Sequence, residues 1–522
     1  MSDPNHFDVI NHRSARTEQN GSQPDAVMTS YPSTLESTSL PQAASMLSKT
    51  SSSEAHQASN TYGSVSGTTT DLTKTSSPPL REKTALVNVQ SNHVGHVEAQ
   101  DDSNVGVEDN NLHWFKAAMI MIAETISLGV LGLPRCLAAL GIIPGVILIW
   151  SFGLMATYTG FVVWQFKQAH PDMRTLAHGL EMIFGRWGRW VGEVSQSLML
   201  LFVMAAHVVL FGSAMAELTN RGICKVLSMA IGAFTCFIVS LPRTMKGNSY
   251  HSALSCCSIT IATTIALISI ARTNPVASSH FGPAYAILPY NLTSFKSAAM
   301  ASSSIILAFN GHIAYPTIIT EMIRPQDFPK ALIFLESVAV TFYTIVAVVM
   351  YIYAGQGVTA PALGSAEPLV RKVAYGFALP TIVVAGVIMA VVLGKNLYSF
   401  TWRRRLHVTT ENTFRAWGSW IGILVCLWVL AWIVANVIPI FGQLLGLIGA
   451  LFGTWFALGF CSMLWLGLNV GRHLEKWKKV VLTAVNVGIL LVCAGCCIVG
   501  TYGSLMEIIA GGEGGKPFSC NH

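Results

Sequence analysis

The sequence predicts an all-α polytopic membrane protein, and its composition, its apolar stretches and their interruptions indicate that class. Of the 522 residues, 52% are hydrophobic and 11% are charged, whereas soluble domains carry roughly 25% charged residues. Eleven apolar stretches are long enough to cross a lipid bilayer as helices, which takes about 20 residues each. The net charge of +6 needs no nucleic-acid partner, because most positive residues fall in loops on one side.

The chain divides into a polar tail, a membrane domain and a short second tail. Residues 1–110 are rich in Ser, Thr, Asn, Gln and acidic residues, which predicts a disordered cytosolic segment without a signal peptide. Residues 111–505 hold the spans, and 506–522 form a short extracytosolic tail. Three lysines stand among Ser and Thr clusters of the first tail: Lys49, Lys74 and Lys83. They suit regulation by ubiquitin or kinases, and a tolerated unstructured tail explains them equally well.

The predicted spans follow one another with short connections. They cover 114–140, 142–167, 188–216, 223–241, 249–271, 297–322, 330–354, 372–400, 416–438, 441–468 and 478–502. The fourth span is the shortest, and the eighth begins beside Arg371 and Lys372.

The distribution of Lys and Arg predicts the orientation of these spans. Loops on the side of the first tail hold sixteen such residues, and the opposite loops with the C-terminus hold seven. Positive residues accumulate on the cytosolic side of membrane proteins, so we predict a cytosolic N-terminus and an extracytosolic C-terminus. Asn291 begins a glycosylation sequon in the longest predicted outer loop, which agrees with this orientation.

Two spans are interrupted, and the interruptions lie five spans apart. Residues 129–134 of the first span read GVLGLP, and residues 309–316 of the sixth read FNGHIAYP. A plain kink explains either interruption alone equally well, since glycine and proline are common in membrane helices. The five-span offset, however, is that of a five-plus-five inverted repeat with its substrate site at the discontinuous helices.

The interruptions predict a site for a zwitterion. The N-terminal end of a half-helix offers free N–H groups and positive potential to a carboxylate, and a C-terminal end offers carbonyls to an ammonium group. We therefore expect amides of 129–132 to hold the carboxylate of an amino acid and carbonyls of 309–311 to face its amine. The predicted substrate-binding residues are Ser127, Leu128, Gly129, Val130, Leu131, Gly132, Phe309, Asn310 and Gly311. Side-chain selectivity is expected from Ser127, Phe309 and residues of spans three and eight.

The interrupted spans resemble those of a known family. Residues 122–134 read IAETISLGVLGLP and are similar to the first span of amino acid/auxin permeases, especially fungal neutral amino acid permeases. Residues 309–312 with Pro316 are similar to the sixth span of that family, and the resemblance covers 110–505. It implies a LeuT-type fold with discontinuous helices one and six. It also implies secondary active import of neutral amino acids by alternating access, usually with protons.

Three residues near the interruptions are candidates for coupling or gating. Glu124 precedes the first interruption, and intramembrane carboxyls are functional candidates because they are costly to place there. A structural ion pair, or a neutral acid bonded to hydroxyls, is its alternative role. His312 lies in the second interruption and is suited to relay a proton, touch the substrate or cap unwound backbone. Thr381 is the hydroxyl of span eight that would line a cation site in a LeuT-type fold, which leaves sodium open as the coupling ion.

The other polar residues of the spans are assigned structural roles. Glu193 and Glu336 lie nearer the span ends and are expected to face water. Cys493, Cys496 and Cys497 form the densest cysteine group, but no His, Asp or Glu stands nearby and packing explains them. We expect no metal and no cofactor beyond the coupling ion, and no enzymatic activity.

Two alternative functions remain beside import across the plasma membrane. A receptor that binds an amino acid and signals through its tail would need the same site with little transport. A vacuolar amino acid transporter would need the same fold in another membrane.

Overall fold

The computed structural model describes residues 112–126, 129–242, 248–272, 285–288, 295–402, 414–473, 475–510, 518 and 520. The predicted N-terminal tail lies outside the described residues, as do Ser127, Leu128 and Asn291.

The described residues are helical almost throughout. The first seven helices are α1 (Trp114–Thr125), α2 (Gly129–Leu140), α3 (Ile142–Ala169), α4 (Leu176–Leu218), α5 (Lys225–Ser240), α6 (Asn248–Arg272) and α7 (Phe295–Ala308). The next four are α8 (Tyr315–Glu321), α9 (Phe328–Ala354), α10 (Pro368–Trp402) and α11 (Phe414–Val437). The last two are α12 (Phe441–Leu468) and α13 (Trp477–Ile509).

The helices have the length and composition of membrane spans. Eight described helices are long and apolar enough to cross a bilayer, and the pair α1 and α2 qualifies as one bent span. The helices α5 and α7 are apolar but shorter. The all-α, multi-pass class is therefore confirmed, whereas the number of eleven spans and the inverted repeat stay predictions.

Small residues allow α12 to pack at the centre of the described helices. In its most apolar window 83% of the residues are buried, against 17% for α13. A Cβ atom on Gly449 would lie 2.0 Å from the carbonyl oxygen of Ser303, so α12 and α7 touch through their backbones. Two stretches of α12, Gly449–Gly453 and Trp455–Gly459, are π-helical, a geometry often found at functional sites.

A backbone bridge joins the start of α1 to the end of α8. The Leu112 N–H donates to the Glu321 carbonyl at 3.2 Å, and the Ile323 N–H donates to the Leu112 carbonyl at 3.1 Å. The first and sixth spans are therefore held together on the side where the chain enters the membrane domain.

A disulfide links two segments that the sequence analysis did not pair. Cys224 precedes α5 and bonds to Cys520 near the C-terminus. Beside it, the Phe518 ring packs edge-on against Trp432 at 5.9 Å between centroids. The connection after α4 and the C-terminal segment therefore lie on one side of the molecule, the side predicted to be extracytosolic.

Candidate functional site

The first span breaks just before the predicted residues. The helix α1 ends at Thr125 and α2 begins at Gly129, and their axes differ by 56°. Residues 129–134 are thus the first turns of α2, and the break lies between Thr125 and Gly129. Pro134 lies inside α2, where it removes one helical N–H. The burial of Val130, Leu131 and Leu133 stabilises these turns nevertheless.

The start of α2 exposes the groups that the sequence analysis assigned to a carboxylate. The first N–H groups of a helix have no intrahelical acceptor, and here they belong to Gly129, Val130 and Leu131. The macrodipole adds positive potential at this end. Backbone N–H groups therefore point from α2 toward the break.

The second span breaks over a longer stretch. The helix α7 ends at Ala308 and α8 begins at Tyr315. Between them, the Gly311 N–H donates to the Phe309 carbonyl at 3.1 Å, and the Ala314 N–H donates to the Gly311 carbonyl at 3.1 Å. A carbonyl oxygen has two lone pairs, so each still has room for a further donor such as an ammonium group.

Tyr343 of α9 joins the two breaks. Its hydroxyl lies 2.9 Å from the carbonyl oxygen of Thr125 and 2.9 Å from that of Ala308, the last residues of α1 and α7. A hydroxyl has one proton, so it is shared between the two acceptors. Tyr343 was not predicted from the sequence, because nothing in a long apolar span marks which tyrosine reaches a break.

The two breaks also meet through a glycine. A Cβ atom on Gly129 would lie 2.7 Å from both Cα and Cβ of Ala308, which is closer than real Cβ contacts. A side chain at 129 would push the start of α2 away from the end of α7. At Gly132 the nearest atom is the Cδ1 tip of Leu445, at 3.0 Å, and a flexible side chain tip can move.

The side chains of the second break point in different directions. Phe309 is buried, and its ring packs edge-on against Tyr343 at 5.3 Å between centroids. The Asn310 amide donates to the sulfur of Met199 on α4 at 3.5 Å. Phe309 is therefore a packing side chain here, while Asn310 reaches toward the third predicted span.

His312 fixes the second break to α3. Its Nε2 atom lies 3.1 Å from the Ala156 carbonyl oxygen and 2.9 Å from the Thr159 hydroxyl. A carbonyl only accepts, so the hydrogen-bond network assigns the proton to Nε2. The Nδ1 atom is buried and has no hydrogen-bond partner among the described residues. His312 thus combines an anchoring nitrogen with a free basic one.

The two glutamates near the breaks have different surroundings. Glu124, in the last turn of α1, keeps an accessible surface, although protein atoms surround it and the Tyr315 hydroxyl lies near it. Glu336 was expected to face water near a span end, but it is 3% exposed, and neither carboxyl oxygen has a hydrogen-bond partner among the described residues. The expectation was wrong because position along α9 gives depth but not the face of the helix. Glu193, expected to face water, is partly exposed and is paired with Arg189 at 2.8 Å.

Thr381 connects helices rather than standing free. It is buried, and its hydroxyl donates to the Ser255 carbonyl at 2.6 Å. Ser258 makes the reciprocal bond to the Phe377 carbonyl. These bonds join α10 to α6, and the lone pairs of the Thr381 oxygen remain for a cation.

The comparisons with known proteins point to one family. Residues 110–506 match the family model described as transmembrane amino acid transporter protein. The N amino acid transport system protein of Neurospora crassa is 30% identical over 421 residues, which cover 79% of this chain and 88% of that protein. A transmembrane transporter of Fusarium pseudograminearum is 30% identical over 72% of this chain and 78% of its own. The amino acid transporter AVT1B of Arabidopsis thaliana is 23% identical over 70% of this chain and 66% of its own.

Among solved structures, the chain is similar to Mhp1, a nucleobase-cation-symport-1 family transporter in a closed conformation. The TM-score is 0.48 at 13% identity, and the match covers 77% of this chain and 92% of that one.

Proposed function

Because the chain belongs to the family of transmembrane amino acid transporter proteins, we propose that it imports neutral amino acids by proton-coupled secondary active transport. The relatives are transporters rather than enzymes. The observation that carries the proposal is the meeting of two broken helices at Tyr343 and at the contact of Gly129 with Ala308.

The substrate would lie between ends of opposite polarity. The first N–H groups of α2 would hold its carboxylate, and the carbonyls of Phe309, Asn310 and Gly311 would face its ammonium group. An α-amino acid carries its ammonium and carboxylate groups on the same carbon, so a single molecule can bind both helix ends. Ser127 and Leu128, in the break before α2, complete the proposed set with Gly129, Val130, Leu131 and Gly132.

The apolar surroundings favour a neutral substrate side chain. The side chains next to the breaks include Leu445 beside Gly132, and Val340 beside Phe309 across Gly153. A charged substrate side chain would need a counter-charge when it leaves water. Aliphatic and aromatic side chains would need none, so they fit this site better.

Alternating access would come from motion of the cytosolic half-helices. The helices α1 and α8 are tied together by the bridge at Leu112, and Tyr343 lies where both spans break. The outer half-helix α2 is held instead through Arg135, which donates to the Gln356 carbonyl at 2.9 Å. We propose that α1 and α8 swing as one unit against α2 and α9, as rocking of a repeat element requires.

Coupling and gating are proposed for the three candidate residues. Glu124, exposed at the end of α1, would act at the cytosolic opening. His312 would hold the second break to α3 in one state and release it in the other. Thr381 would line a cation site between span eight and the interruption of span one, which sodium would occupy if sodium replaced the proton.

The proposed setting is the plasma membrane, with a cytosolic N-terminus and an extracytosolic C-terminus. The disulfide between Cys224 and Cys520 supports this orientation, since disulfides persist in oxidising compartments. Glycosylation at Asn291 and regulation of the N-terminal tail by ubiquitin or kinases are part of the same proposal.

Uptake by the purified protein in proteoliposomes tests the proposed function. We expect radiolabelled alanine and phenylalanine to accumulate when the outside is more acidic, and to equilibrate without accumulation when no gradient is present. Accumulation driven by sodium at equal pH would contradict proton coupling. Binding without uptake would favour the receptor, and accumulation of lysine or glutamate alone would contradict the neutral specificity.

A further inference from the structure

Buried polar atoms without hydrogen-bond partners gather beside the second break. Among the described residues, they include the Thr125 hydroxyl, the Nδ1 atom of His312, the Tyr315 hydroxyl and both carboxyl oxygens of Glu336. Almost all buried polar groups in proteins are paired, and an unpaired one needs a specific explanation such as a bound proton, ion or water. Four such side chains in one place therefore indicate a site.

The four side chains come from three spans and converge near Gly311. A Cβ atom there would lie 3.1 Å from the Thr125 hydroxyl and 3.2 Å from the Tyr315 hydroxyl. The His312 and Tyr315 rings are 4.8 Å apart. The Tyr315 hydroxyl interacts with the Glu336 carboxyl, although the two groups do not meet hydrogen-bond geometry.

Among the described residues, no Lys or Arg acts on the Glu336 carboxyl. Tyr315 of α8 lies near the Glu336 carboxyl, and so does Tyr343, which is on the same helix as Glu336. The Tyr315 phenol also lies near Cys461 of α12 and Glu124 of α1, and the Tyr343 phenol lies near Cys256 of α6. Among the described residues, no ion pair includes Glu336. A buried carboxylate without a counter-charge is costly, whereas a protonated carboxyl needs only a hydrogen-bond acceptor.

We propose that Glu336 is the carboxyl that carries the coupled proton, with the Tyr315 hydroxyl as its positioning partner. This inference rests on the proposed proton-coupled import and identifies the residue that binds the proton. A proton from extracytosolic water binds a Glu336 oxygen while the substrate site is open outward. Swinging of α1 and α8 admits cytosolic water, and the proton leaves to that water as the substrate leaves. Each cycle carries one zwitterion and one proton, so one positive charge enters with each substrate.

Replacement of the carboxyl separates coupling from substrate movement. In proteoliposomes, we expect Glu336→Gln to lose the accumulation driven by an inward proton gradient, which is about tenfold per pH unit for one proton per substrate. Exchange of labelled for unlabelled alanine should fall less than about threefold. Glu193→Gln is the matched control, because Glu193 is partly exposed and paired with Arg189, and it should keep accumulation and exchange.

A measurement on the unmodified protein covers the case in which Glu336→Gln does not fold. Dicyclohexylcarbodiimide reacts with protonated carboxyls inside membranes, and mass spectrometry locates the adduct. We expect labelling of Glu336 to fall as the pH is raised over the range in which uptake falls. Labelling that is independent of pH would overturn the inference.

The two proposals fail in different ways. If the unmodified protein accumulates alanine with the pH gradient and Glu336→Gln accumulates it equally well, the inference alone is overturned. If the unmodified protein does not respond to a pH gradient, the proposed proton coupling is overturned, and the inference falls with it.

Discussion

The two broken spans differ in length and in what they contribute. The first breaks between Thr125 and Gly129, and the contact on its far side is made by a glycine against Ala308. The second breaks over six residues, and it holds His312 with the buried Tyr315 hydroxyl close behind. The first break therefore offers mainly backbone, and the second offers backbone together with titratable side chains.

Because of this difference, we expect the two breaks to serve different functions. A backbone site at α2 can hold a carboxylate common to all amino acids without selecting among side chains. The second break is bonded to α3 through His312 and adjoins Glu336 through Tyr315, so a change there reaches several helices. Recognition would thus depend most on the first break, and coupling on the second.

Gly129→Val is expected to reduce uptake more than any other substitution discussed below. The added side chain meets Ala308 at 2.7 Å, so α2 must move away from α7 by a large part of an ångström. Misplacement on that scale can cost about 100-fold in activity, and we expect uptake to fall by that amount at normal surface expression. Gly495→Val on α13, where no atom lies within 4 Å of the added Cβ, is the control. Equal uptake by both variants would contradict the close contact.

Tyr343→Phe tests the connection between the breaks. It leaves the carbonyls of Thr125 and Ala308 without their shared donor, and an unsatisfied buried acceptor costs about 1–3 kcal/mol. We expect the maximal uptake rate to fall about tenfold, because both breaks lose a fixed distance. Tyr353→Phe, ten residues further along α9, should behave as the unmodified protein. A normal rate in Tyr343→Phe would show that the breaks are held by packing alone.

His312→Gln tests whether the second break only anchors α3 or also carries the coupled proton. A glutamine amide can still donate to the Ala156 carbonyl, so the loss is that of about one net hydrogen bond, or about fivefold in uptake. The pH dependence should keep its midpoint, because the proposed proton site is Glu336. A shifted or abolished pH dependence would place the proton on His312 instead.

Gly132→Ala should have the smallest effect. Its added methyl meets only the tip of Leu445 at 3.0 Å, and that side chain can turn aside. We expect uptake to change less than about threefold, a cost of less than 1 kcal/mol as in volume changes that a core accommodates. A loss as large as that of Gly129→Val would mean that the whole first turn of α2 contacts the substrate.

Local sequence patterns predicted the all-α multi-pass class and the two interruptions, because hydropathy and glycine or proline act within a few residues. They misplaced the first break by three residues, because the burial of Val130, Leu131 and Leu133 stabilises helix on the N-terminal side of Pro134. They predicted that Glu336 faces water near a span end, because the position of a residue along a helix does not determine which face of the helix carries it. Tyr343 and the pairing of Cys224 with Cys520 depend on contacts between distant helices, which no local pattern contains.

The bridge at Leu112 has a mechanical consequence. The chain that precedes Leu112 continues directly into α1 and is hydrogen-bonded through Leu112 to the residues that end α8. A load applied at Leu112 would therefore pull on α1 and α8 together, rather than on α2 and α9. Leu112 is thus a direct mechanical handle on the two half-helices that are proposed to move.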